Sequence, residues 1–93
     1  MKIYKLLPRD PSSDVWGGSD FKGALIVRAK ESDNALRMAR IKYRITQTHQ
    51  IESQVTAYGP WTGANTDFDY VTDSKYSIEG DEEILDEIPL EEV

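Results

Sequence analysis

The sequence predicts an α+β fold, an antiparallel sheet of three or four strands packed against one main helix in the order β-β-α-β-β, followed by an acidic C-terminal tail. Three observations carry this. Residues 24–27 (ALIV) are continuously apolar, the pattern of a strand covered on both faces in the middle of a sheet. Residues 32–45 (SDNALRMARIKYRI) repeat apolar side chains at helical spacing. Segments with a period of two flank both, and one helix laid across such a sheet is the smallest architecture that buries the helix stripe and the strand faces together.

Taken in order, residues 1–7 alternate Ile3, Lys5 and Leu7 with Lys2, Tyr4 and Leu6, which predicts a first strand at an edge of the sheet. Pro8, lacking an amide proton for the ladder, ends it. Residues 8–23 are crowded with Pro, Ser, Asp and Gly and predict a long ordered loop anchored by Trp16 and Phe21. The central strand follows. In the helix, Ser32 is the expected N-cap and Asp33 suits the positive N-terminal end. Ala35, Leu36, Met38, Ala39 and Tyr43 share one face, and Arg37, Arg40 and Arg44 lie opposite. Ile41 falls among the arginines without a local reason. Residues 51–58 place Ile51, Ser53, Val55 and Ala57 against Glu52, Gln54, Thr56 and Tyr58, a half-buried third strand ended by Gly59 and Pro60. Residues 68–76 predict a last strand, at an edge.

Ninety-three residues suit a single domain, and 39% hydrophobic content is enough to fold residues 1–78. The net charge of -6 is unevenly spread. Residues 1–78 hold all 11 Lys and Arg against nine acids, whereas residues 79–93 hold eight acids and no base. Within this tail, residues 81–88 (DEEILDEI) predict two helical turns with Ile84, Leu85 and Ile88 on one side, stopped by Pro89. So short a helix is marginal alone, so the tail either docks, with the arginine stripe as its expected seat, or is a flexible solubilising extension. The chain has no cysteine, which excludes disulfides and thiolate chemistry. No run approaches a membrane span and the first residues do not read as a secretory signal, so a cytoplasmic location is expected.

The segments LLPRDPSSDVW (residues 6–16), KGALIVRAKESDNALRMA (22–39) and GPW (59–61), together with the acidic, glycine-containing end, resemble a group of small uncharacterised bacterial proteins of unknown function. The resemblance implies a compact domain of bacterial or phage origin. It brings no activity, ligand or catalytic residue with it.

The chemistry-bearing residues point away from catalysis. His49 is the single histidine, in a polar stretch, with no second His or Cys to share a metal. Asp67 and Asp69 share a face of a strand, where paired carboxylates hold Mg or Ca, but with Asp73 they do not make a calcium loop and suit a solvated edge. Gly17–Gly18 and Gly59–Pro60 lack phosphate-loop spacing, and no serine sits in a nucleophile elbow. No enzyme, cofactor or metal site is therefore expected; a metal-dependent enzyme at Asp67 and Asp69 ranks third. Arg37, Arg40 and Arg44, with Arg28, Lys30 and Lys42, put six of eleven bases within seventeen residues and make nucleic-acid binding the second reading. The acidic balance disfavours it, because phosphate binding needs a basic footprint. The first reading is a non-enzymatic protein-interaction module with a protein partner and no membrane, using the sheet face, exposed Trp16 and Trp61, or the tail residues Ile84, Leu85 and Ile88.

Overall fold

A computed structural model describes residues 1–16, 21–43 and 61–92. The fold is α+β, a four-stranded antiparallel sheet with one helix on one face. Strand β1 is Lys2–Pro8, β2 is Gly23–Ala29, helix α1 is Ser32–Lys42, β3 is Thr66–Tyr70 and β4 is Glu83–Pro89. The spatial order is β3-β1-β2-β4. Among the described residues the order is β-β-α-β-β; β3 overlaps the start of the expected last strand, 68–76, and β4 falls in the expected tail. The expected strand 51–58 lies outside the described residues, as do His49, Arg44, Gly17–Gly18 and Gly59–Pro60.

β1 is an interior strand rather than an edge. It pairs with β2 through Tyr4↔Val27 and Leu6↔Leu25, and with β3 through Tyr4↔Tyr70 and Leu6↔Phe68. Its alternation is that of a two-sided ladder: Tyr4 and Leu6 join Leu25, Val27 and Ala29 beneath the helix, and Ile3 is buried on the other face. β2 is buried at all seven residues, as its unbroken apolar run requires.

Helix α1 contributes Ala35, Leu36 and Ala39 to the core, with Tyr43 buried just beyond it and Met38 packed alongside. It stops earlier than the apolar repeat suggests: the Tyr43 amide donates to the Ala39 carbonyl at 2.8 Å and closes the last turn. Arg40 and Lys42 sit in that turn, where cations suit the dipole. Ser32 is the first helical residue, not the cap; Glu31 holds that position without a side-chain cap bond.

Trp16 and Trp61 correct the expectation of exposed aromatics, with 2% and 0% of their surface accessible. A 3-10 turn, Asp14–Trp16, delivers the first indole, and the two rings meet edge to face at 4.8 Å. Tyr43 stacks beside Trp61 and Phe21. The turn-rich segments have few apolar residues of their own, so each inserts its tryptophan to seal the end of the helix–sheet core.

The largest departure is the tail. Residues 83–89 are a sheet strand, neither a helix nor a loose extension. The reason lies in β2, whose outer row of amides and carbonyls would otherwise be buried without partners, whereas two isolated helical turns satisfy little. Gly23 makes room for the new neighbour, since a Cβ there would collide with the Ile88 carbonyl. β3 ends at Tyr70, short of the residue 76 expected, and the chain then turns at Asp73–Tyr76, the Tyr76 amide donating to the Asp73 carbonyl at 3.1 Å.

Candidate interaction surface

β3 and β4 stand at opposite edges of the sheet, so residues 71–82 must cross it. They cross on the face away from α1, where Arg28 waits. Arg28 has 8% of its surface exposed and is fully engaged. Its Nε donates to the Asp81 carbonyl at 2.7 Å, one terminal nitrogen donates to the Ser77 carbonyl at 3.1 Å, and the other meets the Glu83 carboxylate at 2.6 Å. A planar guanidinium with divergent donors can bind a bent backbone and an acid at once, which a lysine cannot do. Gly80 completes the clamp. Its φ of 121° is in the region that favours glycine, and a Cβ would sit 2.8 Å from the guanidinium.

Other polar contacts fix β4 at intervals. The Tyr76 hydroxyl donates to Asp86 at 2.8 Å, and that bond to a carboxylate raises the phenol above its ordinary pKa. Glu82 accepts from the Lys30 amide and from the Asn34 side chain, each at 2.9 Å. These two bonds hold the Glu82 carboxyl below the usual glutamate range, the backbone amide contributing most. Glu87 reaches Lys42 at the far end of the helix at 3.2 Å. The acidic segment therefore lies along one flank of α1 and touches it at both ends, rather than covering the arginine stripe.

The register against β2 runs Arg28↔Glu83, Val27↔Ile84, then Ile26↔Asp86, leaving Leu85 as a bulge residue with no partner. The bulge separates the three apolar residues expected to share one side. Ile84 faces the helix and packs on the core, Leu85 lies in a shallow groove with Lys42, Ile84, Asp86 and Glu87, and Ile88 turns to the opposite face beside Ile26 and Tyr76. No β4 residue is buried. Among the described residues β4 has a sheet neighbour on one side only, and Glu79, Asp81, Glu91 and Glu92 form no ion pair. These four acids stand just before and just after the strand in the chain.

The basic cluster, by contrast, is dispersed. Arg28 belongs to the other face of the sheet. Arg40 donates to the Trp61 carbonyl at 2.9 Å and helps hold that loop, and Lys42 is paired with Glu87. Arg37 remains exposed on the helix. Asp67 is bound by Arg9 at 2.9 Å, while the rest of the Arg9 guanidinium donates to the carbonyls of Gly63, Ala64 and Thr66. Asp69 lies two residues further along β3, opposite Lys5. Among the described residues no group of three or more metal-ligating side chains forms.

Sequence reading placed Arg28 in the basic cluster and missed its role as a buried clamp, and it missed the contacts of Glu82 and the Tyr76–Asp86 pair. Only Arg28 left a signal: a charged residue continuing an unbroken apolar run needs a buried partner, and the acidic segment is the richest supply of them. No helix among the described residues is long and apolar enough to cross a membrane. Comparison with protein-family models, with curated proteins and with solved structures finds no match.

Proposed function

We propose that this chain is a small, non-enzymatic protein-interaction module of bacterial or phage origin, offering the acidic edge built on β4 to a cationic protein surface. The observation that carries the proposal is a strand, β4, with one sheet neighbour among the described residues and, just before and just after it in the chain, Glu79, Asp81, Glu91 and Glu92 with no ion pair among those residues. Like charges gathered before and after one strand cost self-repulsion, which an oppositely charged partner relieves. Trp16 and Trp61 have no part in the contact, since the core occupies them. Nucleic-acid binding through the helix is the weaker reading, because Arg28, Arg40 and Lys42 already spend donors within the fold.

The test compares the full chain with a Glu79→Gln, Asp81→Asn, Glu91→Gln, Glu92→Gln variant as bait in nuclease-treated lysate of the source organism. These four side chains make no ion pair among the described residues, so the variant keeps the fold. The expected result is a protein captured by the native chain, released as salt rises, and lost on the variant. Capture that nuclease abolishes, that ignores the four acids and that disappears with Arg37→Ala would move the function to the helix.

A further inference from the structure

Resting on the acidic-edge reading, we infer that the partner docks as an extended, cationic segment that adds a strand to the edge of β4 that has no sheet neighbour among the described residues. A strand in a ladder aims its amide and carbonyl groups alternately to its two sides, so about half of β4's seven residues present theirs outward. None of these strand residues is buried, and Leu85, displaced by the bulge, sits in a groove of about 320 Å³ with Ile84, Asp86, Glu87 and Lys42. The groove is lined mainly by polar groups, with Ile84 and Leu85 as its two aliphatic side chains.

Charge selects the occupant. A second copy of this chain pairing through β4 would set acid against acid, and like charges directly opposite destabilise a ladder. The bulge and Pro89 further guard the edge against its own kind. A strand with basic ends meets the opposite situation. β4 spans roughly 23 Å at about 3.3 Å per residue, and Glu79 and Asp81 precede it while Glu91 and Glu92 follow it. The fitting segment is therefore six to eight residues of β-forming sequence, on the order of one strand, with Lys or Arg at both ends and an apolar residue near its middle to meet Leu85.

A peptide of sequence Arg-Lys-Val-Thr-Val-Thr-Val-Thr-Lys-Arg, titrated into isotopically labelled full-length protein, tests this. Its control carries the same four bases around a central run of prolines, which keeps a similar end-to-end distance but has no amide to donate. Strand addition predicts shifts and slowed hydrogen exchange at the β4 amides. It also predicts binding at least about tenfold tighter than the control, the net worth of a few hydrogen bonds. Equal affinity for both peptides, without protection of β4, overturns strand addition and leaves the acidic edge as a site of charge contact alone. Binding that maps to α1 or β3 also overturns it. Failure of both peptides to bind overturns the strand and the acidic-edge reading together. Glu91→Lys with Glu92→Lys, at residues that make no ion pair among those described, weakens the β-forming peptide several-fold if the proposal holds.

Discussion

β2 and β4 are neighbours of equal length, seven residues each, yet every residue of one is buried and no residue of the other is. β2 is held by apolar packing between the helix and the crossing segment. β4 is held by its ladder with β2, by the partial burial of Ile84, and by charged or polar contacts at Arg28, Asn34, Lys42 and Tyr76. The lesson is that one sheet contains two kinds of attachment, and they should fail under different stresses. Packing loss is severe and insensitive to salt; exposed ion pairs are individually weak and screened.

Trp61→Ala should produce the largest effect. It removes a fully buried indole that contacts Trp16 and Tyr43, at a cost of about 3–5 kcal/mol, seen as a lowered denaturant midpoint. Arg28→Leu comes next, at about 2–3 kcal/mol, because it strands two carbonyls and Glu83. Its distinguishing sign is faster hydrogen exchange in β4 with β1 and β2 still protected, which sharpens the contrast between the strands. Uniform loss of protection across the sheet would break it. Gly80→Ala should cost about 1–3 kcal/mol, since the backbone conformation and the guanidinium both oppose a Cβ. Glu87→Gln, at a pair whose members are each substantially exposed, should cost less than about 0.5 kcal/mol.

What the sequence disclosed follows the same division. β2 and the core face of α1 were legible because burial imposes composition: ALIV allows few other roles, and Ala35, Leu36 and Ala39 fall where the period places them. The fold class followed from those two elements. β4 was illegible for a physical reason. The bulge at Leu85 breaks the period of two, so Ile84 and Ile88, four apart, imitate one side of a helix while facing opposite sides of a sheet. Its attachment also depends on Arg28, more than fifty residues away in the chain; a charge in an apolar run signals that it needs a partner, but not which backbone and which acid supply it. The tryptophans were ambiguous in a different sense, as loop position says nothing about whether an indole points outward or back into the core. That β4 has a single sheet neighbour among the described residues is a topological property, and local propensity does not encode topology.

The smallest effect is the most selective probe of β4. Glu82 titrates below the ordinary glutamate value because the Lys30 amide and the Asn34 side chain favour its ionised form. A carboxyl whose folded pKa is depressed adds stability that is complete above its unfolded value, about 4.3, and is lost as pH falls through the lower folded value. The loss must appear first where the bonds are made. Following the Lys30 amide and the Glu82 carboxyl by NMR from neutral pH downward should show both titrating together below the usual glutamate range, with exchange at β4 rising over the same interval. Glu82→Gln should erase that transition while leaving the acid response of the rest of the sheet in place. If the Lys30 amide instead follows an ordinary glutamate curve, the bond contributes nothing to holding the strand, and the Arg28 clamp with the ladder must hold β4 at that end.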